Sequence, residues 1–132
     1  MKKNVLVVIS TCILLLSFGA ATAADKFTQE MLLGKWAGSE TNARGDTATT
    51  TFELRPDATF SGVAEMNHKP LMSYSGTWVL NGNLLVWTYT KSSVPIPDAA
   101  KVDTDEIASV EKNNLILVSK LSGQKHLFSR VK

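Results

Sequence analysis

From residue 34 onward the chain alternates apolar and polar positions in short runs separated by turn residues. "TATTTFEL", "TFSGVAEM" and "SGTWVLNGNLLVWTYT" show the pattern most clearly. A period of two is the signature of a strand with one buried face. Eight strands are predicted, at 36–41, 47–54, 59–66, 72–80, 84–90, 102–110, 115–121 and 125–131. One short helix precedes them. Thr28 is its expected cap, Phe27 and Leu32 its hydrophobic staple, and Gly34 its end. Nearly every connection is short, so strands adjacent in sequence pair antiparallel. The expected fold is all-β, an eight-stranded antiparallel up-and-down β-barrel with a short N-terminal helix. Closure would remove exposed strand edges. An open two-sheet sandwich is the alternative.

Turn length fixes register, and register decides which side chains share a face. A two-residue type I′ turn at Asn81-Gly82 pairs Trp78 with Leu85, Gly76 with Trp87 and Tyr74 with Tyr89, all facing inward. A three-residue turn would instead split Trp78 and Trp87 between the faces. In Arg55-Pro56-Asp57-Ala58, Pro56 suits a type I turn and leaves Ala58 left-handed. That pairs Leu54 with Phe60, Phe52 with Gly62 and Thr50 with Ala64. A four-residue loop after Val110 and a two-residue turn at Ser122-Gly123 align Ala108, Leu117 and Phe128. One row further on, Glu106, Ser119 and His126 stand side by side. One end of the barrel is then apolar and plugged. The other mixes rings, methionines and polar groups, as a one-mouthed pocket requires. The ligand-binding candidates are Tyr74, Trp87, Tyr89, Met66, Glu106, Ser119 and His126.

The N-terminus has a different character. A basic start, a mostly apolar run at 5–20 and Ala21-Thr22-Ala23 have the layout of a secretory signal peptide. Residues 1–23 are expected to be removed, leaving one domain at 24–132. Taking the first 23 of 132 residues away leaves 109, enough for a core that needs no disulfide, and the single cysteine, Cys12, goes with them. The 14 basic residues lose Lys2 and Lys3, leaving 12 against 12 acidic ones. A neutral chain with scattered charges has no footprint for nucleic acid, and no apolar span remains for membrane insertion after cleavage. The protein is expected to be exported, to the periplasm or beyond it.

Three constellations raise the question of chemistry. Glu106, Ser119 and His126 hold the residue types of a nucleophilic triad, but Ser119 lies between acid and imidazole and no nucleophile elbow is present. A polar ladder at the mouth is the plainer reading. "MNHKPLM" places Met66, His68 and Met72 together, soft donors of a kind copper uses. They read as core-edge methionines and a solvated histidine. "DTDE", with Asp103, Asp105 and Glu106, lacks the spaced oxygens of a calcium loop and reads as a solvated strand start. The chain is therefore expected not to be an enzyme, and to hold no metal and no cofactor.

"LLGKW" places Gly34-x-Trp36 at the start of the first strand after a short helix, and "HLFSRV" places Arg130 at the end of the last strand. Together with "TFELRPDATFSG" and "YSGTWVLNGNLLVWTYT", this resembles the small bacterial lipocalin-like, calycin-type secreted domains. The likeness spans residues 31–131. Avidins and fatty-acid-binding proteins share a Gly-x-Trp, and an avidin-like reading stays open. The long first loop and C-terminal helix of typical lipocalins are missing. The resemblance implies that Gly34, Trp36 and Arg130 are structural, the arginine packing over the tryptophan at the closed end. It implies a small hydrophobic or amphipathic ligand in the barrel. The competing reading is a protein-interaction or inhibitor module whose barrel is filled by its own side chains.

Overall fold

The computed structural model describes residues 26–132, so the expected signal peptide at 1–23 lies outside the described residues. A single helical turn, α1 (Gln29–Leu32), leads into eight strands: β1 (Gly34–Thr41), β2 (Thr47–Leu54), β3 (Thr59–Met66), β4 (Lys69–Asn81), β5 (Leu84–Ser92), β6 (Val102–Val110), β7 (Asn114–Ser119) and β8 (Lys125–Arg130). They pair antiparallel in chain order and close into a barrel, β8 returning to β1 through Trp36 opposite Arg130 and Ala37 opposite Ser129. The β2–β3 register is the expected one, with Leu54 opposite Phe60, Phe52 opposite Gly62 and Thr50 opposite Ala64. Ala58 takes the left-handed conformation in that turn, at φ 67°.

The lower end is sealed. Leu32 and Trp36 are fully buried, and Trp36 Nε1 donates to the Leu32 carbonyl at 2.9 Å, capping one of the open carbonyls of α1. Thr28 stands at the N-cap, but its side chain makes no capping bond, contrary to expectation. The Arg130 guanidinium lies 4.2 Å from the Trp36 ring centroid. It also donates to the carbonyls of Leu33, Met31 (3.2 Å) and Lys112 (2.6 Å). Gly34 sits at φ 116°, and a Cβ there would fall 2.7 Å from Arg130 Nη1. The closed end is thus one interlocked unit of Gly34, Trp36 and Arg130.

Several registers differ from the sequence reading, for local reasons. The β4–β5 turn residues are Gly82 and Asn83, and the positive φ (62°) falls on Gly82, the first central position, as in a type II′ turn. Trp78 therefore faces Trp87, Leu80 faces Leu85 and Gly76 faces Tyr89. A two-residue slip keeps every side chain on its face, so the aromatic face still points inward. Asn67 and His68, at φ 51° and 66°, make a tight turn where a longer loop was expected, and β4 begins at Lys69. The β7–β8 connection is longer than two residues, which places Leu115 opposite Phe128 and Leu117 opposite His126. In β6 a bulge between Ile107 and Ser109 leaves Ala108 unpaired. That single extra residue reverses the faces upstream: Asp105 points in and Glu106 points out.

Candidate functional site

The rings of β2–β5 and β8 form one edge-to-face chain. Phe52 meets Trp87 at 5.2 Å and Phe128 at 5.0 Å, and Phe60 meets Trp87 at 5.0 Å and Tyr89 at 5.5 Å. Tyr74 and Tyr89 meet at 5.5 Å and 73°. Such contacts follow the ring quadrupoles and fix each ring against the next. Gly62 makes room for the outermost ring: a Cβ there would lie 2.4 Å from the Tyr74 ring. The chain of rings fills the lower and middle barrel, as small eight-stranded barrels permit.

Above it an interior cavity of about 90 Å3 remains, walled by Phe52, Tyr74, Trp87, Tyr89 and Phe128, with Asp105 as its charged group. A cleft of about 100 Å3 adjoins it, sharing Thr50 and Phe128 and holding Glu40 and His126. A larger groove, about 480 Å3, crosses the outer wall over β1–β5, lined by serines, Thr51, Lys35, Glu53 and Lys91. Phe52 and Tyr74 reach it at Gly62, but most of its lining offers hydroxyls and charges to solvent. The interior cup has the converging rings and polar groups of a small-molecule site.

Asp105 decides the electrostatics of the cup. Its Oδ2 accepts the Trp87 Nε1 proton at 2.8 Å. Burial pushes its carboxyl above the usual range; the Trp87 bond opposes this, Asp103 adds to it, and His126 opposes it. Burial alone pushes the Tyr74 phenol up to about 12, and burial, followed by the charges of Tyr74, Asp103 and Asp105, raises that of Tyr89. Both phenols are neutral at ordinary pH.

The expected site residues part company here. Tyr74, Trp87 and Tyr89 come together around the cup. His126 lies in the adjoining cleft, its Nδ1 2.7 Å from Glu40 Oε1 rather than beside Ser119. Ser119 stands opposite Asp105, and its hydroxyl accepts from the Ser122 amide at 3.2 Å. Met66 is half-buried opposite Ala48 and borders neither cavity. Glu106 is on the outer wall, held by Asn83 Nδ2 at 3.2 Å and near Lys120 Nζ at 3.8 Å. The expected row of Glu106, Ser119 and His126 is not formed. Asp103 and Asp105 face inward, so "DTDE" is not simply a solvated strand start. Asp105 and Glu40 were missed. Ile107 was the available signal, because a core isoleucine in strict alternation carries Asp105 inward with it. His68 is exposed in its turn, and among the described residues no group of three or more His, Cys, Asp or Glu is placed to hold a metal.

A closed eight-stranded meander, a Gly-x-Trp plug and an arginine lid define a lipocalin-like fold. The chain is similar to the crystal structure of a lipocalin-like protein from Bacteroides uniformis ATCC 8492, with a TM-score of 0.55 and 16% identity over 76% of this chain and 99% of that one. No family model matches the chain. No curated protein matches it either.

Proposed function

We propose that the protein is an exported binder of a small amphipathic molecule, held in the cup at the open end of the barrel. One observation carries this: open polar groups converge on a ring-walled cavity above a filled interior. The size of the cup refines the expectation. About 90 Å3 is well under the roughly 300–1,000 Å3 of sites for drug-sized ligands. A compact head group with a short tail fits; a long acyl chain does not fit without displacing rings. The reading is of a binder rather than an enzyme, since the residue types of a triad lie on different faces and neighbours. Export rests on residues 1–23 alone.

Native mass spectrometry of the protein purified from its own host tests this. The expected result is a small bound mass that is lost on Trp87→Ala, which opens the cup. A bound lipid of long chain length, unaffected by that change, would contradict it.

A second reading has its own support. The interior is largely occupied by Phe52, Phe60, Trp78, Trp87 and Phe128, and a groove of about 480 Å3 lies on the outer wall. An interaction module acting through its outer face or its loops would look like this. Substitutions in the outer groove, Lys35→Glu with Lys91→Glu, would abolish its partner binding and leave cup ligands unaffected.

A further inference from the structure

We propose that the cup selects a small organic ammonium ion over neutral or anionic molecules of the same size. This rests on the binding-site reading above and adds the ligand's charge class to it.

The first argument is the chemistry of the walls. Phe52, Tyr74, Trp87, Tyr89 and Phe128 present rings on several sides of one cavity. Ring faces carry partial negative charge and attract a cation within about 6 Å of the centroid. The second is the set of open acceptors. Among the described residues, no protein group bonds to the second Asp105 oxygen or to the Tyr74 and Tyr89 phenol oxygens, and since no buried side-chain polar atom there is left unpaired, these oxygens face open space. A primary ammonium brings three donors and no acceptor, which complements a carboxylate and two phenol oxygens.

The third argument is charge balance. Asp103 and Asp105 face inward from β6, and Glu40 lies in the adjoining cleft. Facing them is one basic side chain, His126, already bonded to Glu40. Lys101, in the loop above, is held by Asp98 at 2.6 Å. Asp105 is left with an indole N–H as its donor, and the basic group that acts on it, His126, is shared with Glu40. Three carboxylates facing one imidazole disfavour anions and gain most from a cation that brings its own charge. A fatty-acid head group would meet repulsion here, which sets this site apart from a carboxylate-binding pocket.

Isothermal titration calorimetry with n-butylammonium, 1-butanol and butyrate, at matched ionic strength and neutral pH, tests the inference. Butylammonium is expected to bind saturably and at least about tenfold more tightly than the other two. Asp105→Asn is expected to bring it level with 1-butanol. Tyr89→Phe keeps the ring and removes the oxygen; it is expected to weaken butylammonium severalfold and leave 1-butanol unchanged. Should 1-butanol or butyrate bind as well as butylammonium, or Tyr89→Phe weaken butylammonium and 1-butanol equally, charge selection is overturned while a binding cup remains. Should none of the three bind saturably, the inference and the site reading fall together.

Discussion

Asp105 sets a half-buried carboxylate against an indole N–H and a wall of rings, and this has a consequence for stability. Its native carboxyl keeps its proton to a higher pH than the ordinary 3.8. Between the two values the native state binds more protons than the unfolded chain. The stability linked to this group is therefore present at lower pH and is lost as pH rises through that window. Asp105→Asn keeps an acceptor for Trp87 and removes the loss. Its thermal midpoint, relative to the parent, is expected to climb as pH is raised from the acid side and to stay higher at neutral pH. Melting curves across that range check this, and a variant destabilised at neutral pH would contradict it. At the opposite end Arg130 covers Trp36 and donates to three carbonyls. Arg130→Ala removes a cation–π contact and charge-assisted hydrogen bonds, an expected loss of about 2–3 kcal/mol by urea unfolding. Arg130 was legible in the sequence because strand count and Gly-x-Trp located it. Asp105 was legible only through Ile107, because alternation counted back from Val110 crosses the bulge between Ile107 and Ser109 and points Asp105 outward.

At the scale of elements, turns and bulges separate what sequence reveals from what it hides. Alternation located all eight strands, and Pro56 located the β2–β3 turn and its left-handed Ala58. Glycine carries no side-chain penalty at such a φ, so Ala58→Gly is expected to stabilise by up to about 1 kcal/mol, measured as a shift in denaturation midpoint. Asn67-His68 went unread as a tight turn because histidine is an uncommon partner for asparagine there. The bulges at Ser75/Gly76 and Ile107/Ser109 carry no compositional mark strong enough to read. The first needs a glycine: a Cβ at Gly76 would lie 1.8 Å from the Thr88 carbonyl oxygen. Gly76→Ala must move the backbone beneath Tyr89. It is expected to destabilise the barrel by about 2 kcal/mol or more, and loss of protection of the β4–β5 amides in hydrogen exchange would report it.

At the scale of the whole molecule, the barrel divides into a sealed end that holds the fold and an open end that holds the chemistry. The three tryptophans sample both. Trp36 Nε1 donates to Leu32 and Trp78 Nε1 to Arg55 at the closed end, whereas Trp87 Nε1 donates to Asp105 in the cup. Their indole N–H resonances are three reporters inside one barrel. The most direct test of a binding cup above a solid core is therefore an NMR titration of the nitrogen-15-labelled protein with n-butylammonium and 1-butanol. The Trp87 indole signal should shift with added ligand while those of Trp36 and Trp78 stay in place. A shift confined to Trp36 or Trp78, or no movement at any of the three, would contradict it.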